Sequence, residues 1–433
     1  MKIPEILMVE TVHQPGSLAR VLQVIAEAGL IIDHLNAVRR ERGRTLWEIT
    51  LEMDEATDRS LYQRIDDLPN ARFMGKSDRV FERHRGGKLR FSASMAINTQ
   101  QVLRDIYTPG VARVCLAIRD DPSLAREYTS LDRTVAVVIN GTAVLGLGNI
   151  GALAGLPVME GKAALFAALA GLNAVPILLE ETDPARCVEV ICSIAASFGA
   201  IQLEDIAAPA CFDIEAALRE RLDKPVLHDD QHGTAVVVLA ALMNATARVG
   251  RDLSACSIGQ VGLGAAGIGI ARLLGRAGVT HLRGSDLNPL AVQRFESMGG
   301  RGGSLQELMQ ECDVIVATTG VRALIDPRWV RPGQVILALS NPDAEIDPVQ
   351  ALEAGAAFAA DGKGINNVLG FPGLFKGALQ ARAPKFTDAM LLAPPHSIAA
   401  QATPGELVPD PLDPRVHAAV AEAVRLAALA DED

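Results

Sequence analysis

The stretch ACSIGQVGLGAAGIGIARLLGRAG, residues 255–278, decides the fold that we predict. An apolar strand runs into Gly262, Gly264 and Gly267, which fit the pattern GxGxxG, and the residues that follow have the apolar spacing of a helix. A second predicted strand ends in Asp286, at the distance where an acid accepts hydrogen bonds from the ribose of a dinucleotide. These features predict a Rossmann-type domain that binds NAD.

A second match to the same pattern, GLGNIG at residues 146–151, lacks this context. It runs into ALAGLP, where Pro157 and small residues are expected to interrupt any immediate helix, and no acid follows at the required distance. We therefore predict a tight turn that needs glycine geometry and lines a substrate cleft. Because Asp286 would repel the extra phosphate of NADP, the sequence favours NAD and leaves NADP open.

Composition excludes several classes of function. The chain has 433 residues, 49% of them apolar, and this length predicts two or three domains. A net charge of -11 without a long basic block argues against nucleic acid as a partner. No uninterrupted apolar run is long enough to span a membrane, MKIPEILMVE has no signal-peptide core, and the six cysteines form no CxxC pair. We expect a cytoplasmic protein with reduced thiols.

The first 85 residues differ from the rest of the chain. Apolar alternation in EILMVETV predicts a strand, and GSLARVLQVIAEAG predicts a helix capped by Ser17. Strands near 29–38, in TLWEITLEM and in ARFMGKSDRVF, with a helix near SLYQRIDDL, complete the order β-α-β-β-α-β. This order predicts a small ferredoxin-like module over residues 1–85.

The remainder alternates apolar strands with helices, which is typical of parallel α/β folding. We expect a substrate and metal domain over 86–235 and the Rossmann-type domain over 236–433. The proline-rich stretch at residues 393–414 is expected to lie extended over a surface. The predicted strands are VAVVIN, AVPILLE, AIQLED, PVLHDD, ACSIGQVG, HLRGSDL, DVIVATT, QVILALS and AAFAAD.

Four acidic residues follow two of these strands. Glu204 and Asp205 end AIQLED, and Asp229 and Asp230 follow PVLH. Carboxyl ends of parallel strands meet at one edge, and carboxylates gathered there suit a hard cation such as Mg²⁺ or Mn²⁺. The spacing alone also allows these acids to cap helices or pair with arginines. HDDQH resembles the zinc motif HExxH only superficially, because strand-like residues precede it and Gly233 follows it.

Six motifs carry a family resemblance. IYTPGVA, GTAVLGLGNIGALAGLPVMEGKAALF, LEDI, HDDQHGTA, LALSNPD and INNVLGFPGLFKGAL occur in this order, and the region 95–425 resembles malic enzyme of the short bacterial type. HQPGSLARVL at the start of the chain resembles an ACT domain. The first resemblance implies oxidation of (S)-malate with NAD(P) and a divalent metal, followed by decarboxylation to pyruvate and CO₂.

The resemblance also implies roles for individual residues. Glu204, Asp205 and Asp230 would be metal ligands, with Asp229 beside the metal and the base. Lys162 would be the general base, which requires a depressed pKa, and Tyr107 the general acid that protonates the enolate. Both would also contact the substrate. Asn341 and Asn366 would bind the substrate through their amides, with Asn341 near the nicotinamide and Asn367 adjacent. By spacing alone, Lys162 could equally be a surface lysine and Tyr107 a turn residue.

Several positions depart from the family pattern. Asn149 stands where many members have an aspartate, and Ala143 stands where larger relatives have an arginine that grips a substrate carboxylate. The segment AADGKGINN is shorter than the usual loop. Lys363 is one candidate for the positively charged side chain that would replace the missing arginine. Substrate grip and the choice between NAD and NADP are therefore open.

The ACT resemblance implies a small-molecule effector, bound at Gly16 and the loop HQPGS, although the module could instead serve only to assemble an oligomer. The family resemblance implies a homodimer or larger homo-oligomer. Two other functions remain open: a malolactic enzyme that converts malate to lactate with bound NAD, and a sensor whose catalytic body is inactive.

Overall fold

The structure, a computed structural model, describes residues 3–53, 59–341 and 343–431. These residues form two compact units, the first ending at Lys88 and the second beginning at Leu89. The predicted division of the second unit at residue 235 stays a prediction.

The first unit has the predicted ferredoxin-like order. Its four strands form one antiparallel sheet in the order β2-β3-β1-β4. Apolar residues that alternate along β1 and β3 pack against one face of the helices, which buries Leu7, Val9, Ile25 and Ile49. The elements are β1 Ile3–Val12, α1 Ser17–Glu27, β2 Ile32–Glu41, β3 Arg44–Met53, α2 Ser60–Asp66, β4 Ala71–Lys76 and α3 Arg79–His84.

Two local predictions for this unit were wrong. Ser17 does not cap α1 but begins it, and Gly16, with a φ of 83°, occupies the capping position without a side-chain hydrogen bond. The segment ARFMGKSDRVF is a strand only as far as Lys76, and a turn at Ser77 leads into α3. The residues after the turn no longer alternate between apolar and polar, so they have no reason to continue a strand.

The second unit contains two parallel sheets. The first has the strand order β6-β5-β7-β8, and the second has the order β11-β10-β9-β12-β13-β14. All nine predicted strands are confirmed, and the two-residue edge strand β11 was not predicted. The strands are β5 Thr134–Ile139, β6 Asn173–Leu178, β7 Ala200–Glu204, β8 Val226–His228, β9 Ser257–Val261, β10 His281–Ser285, β11 Arg301–Gly302, β12 Val314–Ala317, β13 Val335–Ala338 and β14 Phe358–Asp361.

The described residues of the second unit also form fourteen α-helices, several of which pack against the two sheets. They are α4 Gln100–Ile106, α5 Val111–Asp120, α6 Ala125–Tyr128, α7 Ala152–Leu165, α8 Pro184–Ile194, α9 Ala210–Arg221, α10 Asp229–Arg248, α11 Ala265–Arg276, α12 Pro289–Ser297, α13 Leu305–Glu311, α14 Pro348–Glu353, α15 Phe371–Gln380, α16 Asp388–Gln401 and α17 Pro414–Ala430.

A helix does follow GLGNIG, contrary to prediction. Helix α7 begins at Ala152 and contains Pro157, and a π-helical turn extends it to Ala170. An internal proline costs a helix about 3 kcal/mol, but burial of Met159, Ala163 and Phe166 offsets this cost. The stretch Ala152–Ala170 is long and apolar enough to cross a membrane by length and composition. Its buried residues belong to the largest core cluster of this unit, as those of a core helix do.

The proline-rich stretch is also partly helical. Helix α16 runs through Pro394 and Pro395, both buried, and packs against α10 and α17. The prediction of an extended segment was therefore wrong for residues 393–401. Burial of Met390, Leu391 and Ile398 in the core supplies the stabilisation that the prolines remove from the helix.

Helix α10 connects the two sheets of the second unit. It packs against β7 and β8 of the first sheet and against α11 of the second, and most of its residues are buried. The backbones of α10 and α11 approach closely at Gly269, where a Cβ atom would overlap the carbonyl oxygen of Gln231. The first turn of α10 is thus held against the helix that follows the glycine motif.

Candidate active site

Three carboxylates meet at the carboxyl edge of the first sheet. Glu204 ends β7, Asp205 follows it, and Asp230 lies in the first turn of α10 directly after β8. One oxygen of each lies within 4.8 Å of one of each of the others. Three carboxylate oxygens at this separation fit a hard divalent cation such as Mg²⁺ or Mn²⁺, as the sequence predicts.

The loop between these ligands has an unusual backbone. Asp205 has a φ of 52°, a left-handed conformation that costs a residue other than glycine free energy. Its backbone N–H donates a hydrogen bond to Oδ2 of Asp230 over 3.1 Å, and its carbonyl oxygen accepts one from the N–H of Ala143 over 3.1 Å. The strained conformation thus brings Asp205 and Asp230 together.

Lys162 of α7 reaches the same cluster and is not a surface lysine. Its side chain is 10% exposed, and its Nζ lies 3.0 Å from Oε1 of Glu204 and forms an ion pair with Asp229. The ammonium group also lies over the ring of Phe371, 4.4 Å from the centroid. A lysine therefore sits against the carboxylates, where a substrate bound to a cation would be in reach.

Asp229 is fully buried and held from two sides. Its Oδ2 pairs with Lys162 and accepts a hydrogen bond from Nδ2 of Asn367 over 2.8 Å. Gly233, one helical turn later, leaves room for the carboxylate, because a Cβ atom there would overlap Oδ1 of Asp229. The glycine that follows HDDQH is thus required by packing.

Burial sets the protonation of the cluster. It raises the pKa of Glu204 to about 7 and the pKa values of Asp229 and Asp230 to about 6, because charged carboxylates lose hydration. Burial opposes the charged form of Lys162, but Asp229 and Glu204 outweigh it and hold the pKa of the lysine above its usual range. The predicted depressed pKa is therefore absent while the carboxylates face the lysine without a neutralising charge.

Gln202 is a residue that the sequence analysis missed. It is fully buried in β7, and its Nε2 donates a hydrogen bond to Oε2 of Glu204 over 2.6 Å. A polar residue inside the apolar strand AIQLE was the available signal. Gln202 helps to orient Glu204, since the other carboxylate oxygen faces Lys162.

The glycine motif of the second sheet has the expected geometry. Gly262 has a φ of 86°, and a Cβ atom on Gly267 would overlap the carbonyl oxygen of Gly262. A Cβ atom on Gly264 would meet nothing within 4 Å, so this glycine leaves space where a pyrophosphate approaches the backbone. Asp286 accepts a hydrogen bond from the N–H of Leu263 over 2.7 Å, which fixes the carboxylate at the glycine turn.

The other match, GLGNIG, forms the predicted turn. Gly148 and Gly151 have φ values of 74° and 78°, which glycine adopts without strain. Ala143, at the position of the missing arginine, lies in the loop that bonds to Asp205.

The three asparagines make different contacts within the chain. Oδ1 of Asn366 accepts a hydrogen bond from the N–H of Val368 and so caps its own turn, whereas Asn367 contacts Asp229. Asn341 donates a weak hydrogen bond to the carbonyl oxygen of Gly362 over 3.3 Å, and Pro342 of its motif lies outside the described residues. The substrate roles of Asn341 and Asn366 stay predictions.

Tyr107 is not among the groups that gather around Lys162. It follows α4, and its side chain is 68% exposed. Within the described part of the chain, its hydroxyl has no hydrogen-bond partner. The proposed general acid therefore does not complete the site in the single chain.

Fold and site together define a class. The second sheet is of the Rossmann type and carries a turn suited to a dinucleotide. The strand ends of the first sheet hold a carboxylate cluster, and a buried lysine lies beside it. This is the arrangement of an oxidoreductase that uses a dinucleotide and a divalent cation.

Comparisons with known proteins identify the family. Residues 86–219 match the N-terminal domain of malic enzyme, and residues 6–70 match the ACT domain. The chain is 48% identical to NAD-dependent malic enzyme 1 of Bacillus subtilis, over 98% of this chain and 97% of the relative. It is 40% identical to the bifunctional malic/malolactic enzyme of that organism, over 79% and 90%. The malic enzyme structure from Pyrococcus horikoshii matches with a TM-score of 0.78 and 39% identity, covering 82% of this chain and 91% of that one. The chain belongs to the malic enzyme family.

Gly233→Ala should disable the site without unfolding the protein. The added methyl group would displace the carboxylate of Asp229, and a misplacement of about 1 Å can lower turnover by about 100-fold. Steady-state kinetics with malate and a thermal melt would measure both effects. Gly275→Ala in α11 is the control, because its Cβ would make only an ordinary contact with Leu282, at 3.7 Å. Wild-type turnover in Gly233→Ala would contradict the packing argument.

Proposed function

We propose that this protein oxidises (S)-malate with NAD and decarboxylates the product to pyruvate and CO₂, with Mg²⁺ or Mn²⁺ as the cation. One observation carries the proposal: Lys162 is buried against Glu204 and Asp229, beside the cluster that Glu204 forms with Asp205 and Asp230. Relatives that match nearly the whole chain are named for this activity.

The cation would be held by Glu204, Asp205 and Asp230. When bound, it supplies Lewis-acid chemistry that favours loss of the substrate hydroxyl proton and stabilises negative charge after decarboxylation. Lys162 would accept that hydroxyl proton, and bound NAD would supply the acceptor for the hydride of C2. This role requires a neutral lysine, and neutralisation of the neighbouring carboxylates moves its pKa in that direction.

The remaining steps need an acid and a held cofactor. When the bond between C3 and the leaving carboxylate breaks, its electron pair forms a double bond between C2 and C3, and the carbonyl electrons move to the oxygen at C2. The resulting enolate must then receive a proton at C3. We assign that proton transfer to Tyr107, whose phenol O–H can donate a proton. Gly262, Gly264 and Gly267 would hold the pyrophosphate of NAD, with Asp286 at the ribose. Substrate contacts of Asn341 and Asn366 are part of this proposal.

The exposed position of Tyr107 leads us to propose a homodimer in which each site receives this tyrosine from the other copy. Several apolar residues close to Tyr107 in the sequence are also exposed: Phe91, Met95, Ile97, Leu103 and Leu116. Exposed apolar residues in this number are expected at a surface that another chain covers. A second copy is the occupant that would also complete the site.

Two further assignments complete the proposal. The ACT domain would bind a small-molecule effector at the loop around Gly16, where the glycine has a φ of 83°. We place the enzyme in the cytoplasm, since its six cysteines are free thiols and such thiols persist in a reducing compartment. Neither nucleic acid nor a membrane is a proposed partner.

A malolactic reaction is the second candidate, because one relative is named for both activities. It would use the same site but return the hydride to pyruvate, so that lactate forms and no NADH accumulates. Product analysis separates the two reactions.

Malate should drive NADH formation only when Mg²⁺ or Mn²⁺ is present, with pyruvate as the product. Lys162→Ala should lower kcat roughly 10²- to 10⁴-fold, as expected when a general base is lost. Absorbance of NADH and chromatography of the acids would measure both. Lys385→Ala, which removes an exposed lysine, is the control. Lactate without NADH would favour the malolactic reaction, and no turnover by the wild-type chain would contradict both.

Mixing two inactive variants tests whether Tyr107 acts across a dimer. Tyr107→Phe and Lys162→Ala chains, refolded or co-expressed together, should recover about a quarter of wild-type activity, because half of the dimers are mixed and each mixed dimer has one intact site. If both residues came from the same chain, every site would stay defective and mixing would restore nothing.

An effector of the ACT domain should shift the melting temperature or the malate kinetics of the full-length enzyme. A panel of amino acids and central metabolites, followed by differential scanning fluorimetry, would detect it. Gly16→Val should abolish the shift, because a branched side chain is strained at this φ. No response to any compound would favour a purely assembling role for the domain.

A further inference from the structure

Glu215 is a buried carboxylate that the proposed chemistry does not use. It lies on α9 and is 4% exposed. Burial alone would raise its pKa, but His232 and the N–H of His228 outweigh this effect and lower the pKa to about 2. A charged, buried carboxylate needs hydrogen-bond donors. The residues that supply these donors are therefore the ones whose positions Glu215 can fix.

Among the described residues, the hydrogen-bond donors to Glu215 come from one short segment. Its Oε1 accepts a hydrogen bond from the backbone N–H of His228 over 3.0 Å, and its Oε2 accepts one from Nε2 of Gln231 over 3.2 Å. Nε2 of His232 lies 3.0 Å from the same carboxylate. These three residues flank Asp229 and Asp230, which occupy the two positions between His228 and Gln231.

The start of α10 lies between the regular backbone hydrogen bonds of β8 and those of the helix. Strand β8 has only three residues and ends at His228, so the hydrogen bonds of the sheet stop where the acids begin. The first N–H groups of α10 have no partners within the helix, and the residue before it, His228, makes no side-chain cap. Charge-assisted hydrogen bonds to Glu215 hold the chain in place where it passes from β8 into α10.

We propose that Glu215 is a positioning residue for the cation site: it fixes residues 228–232 so that Asp229 meets Lys162 and Asp230 faces Glu204 and Asp205. This inference rests on the proposed function, because it assigns Glu215 to the cation that the reaction requires. Groups that hold ligands from outside typically change metal affinity or activity by about 10- to 100-fold when they are replaced.

The test compares Mn²⁺ binding with stability in the full chain. Glu215→Gln keeps the shape of the side chain but cannot accept hydrogen bonds from all three donors. We expect its dissociation constant for Mn²⁺, measured by electron paramagnetic resonance of the free ion, to rise about 10- to 100-fold, with a lower kcat for malate. Glu189→Gln, which alters an exposed helix carboxylate paired with Arg221, should bind Mn²⁺ as the wild type does.

A second variant keeps the test decisive if Glu215→Gln does not fold. Gln231→Met removes one donor and leaves the carboxylate, so it should also weaken Mn²⁺ binding, but by a smaller factor than Glu215→Gln. Folded variants that melt at lower temperature but bind Mn²⁺ with wild-type affinity would overturn the inference and assign Glu215 to stability alone. A wild-type chain that neither binds Mn²⁺ nor oxidises malate would instead show that the proposed function is wrong, and the inference with it.

Discussion

The burial of several carboxylates against one lysine is the constraint on which the site depends. Glu204 and Asp229 both contact Lys162, and Asp230 adds a third acid whose charge burial disfavours. Removing one partner from a buried ion pair typically costs about 3–5 kcal/mol, so the positions of these groups are tightly coupled. The fold accepts further cost in the left-handed Asp205 and the crowded Gly233. Local rules broken together at one place are typical of a functional site.

The prediction that acids from separate strands lie close together rests on topology. Parallel strands bring their carboxyl ends to one edge, so acids that follow β7 and β8 had to lie near each other. Topology could not show which of two adjacent residues faces the site. Asn366 and Asn367 are adjacent, yet only Asn367 contacts Asp229. Nor could topology place Tyr107, because a single chain has no pattern that distinguishes a residue serving its own site from one serving another copy.

The two helices that the fold prediction missed, at residues 152–170 and 393–401, share one cause. Pro157, Pro394 and Pro395 were treated as helix breakers, and each lies within a helix. Local propensity was outweighed by tertiary burial, which no single-sequence pattern reports. Buried polar groups such as Gln202 and Glu215 were missed for a related reason. In the sequence Glu215 resembles an ordinary surface residue, and although Gln202 stands out inside an apolar strand, only packing reveals that these two residues hold Glu204 and the first turn of α10.

The close approach of α10 and α11 at Gly269 has a consequence for how the oxidation and the decarboxylation are coupled. The hydride acceptor would rest on the sheet that α11 follows, and the acids that bind the cation stand at the start of α10. Because the two backbones lie this close, a shift of α11 along α10 would displace Gln231 and the acids before it. Oxidation at C2 and cleavage beside C3 therefore depend on the same contact, and a change that loosened it would be expected to let the keto acid escape between the two reactions.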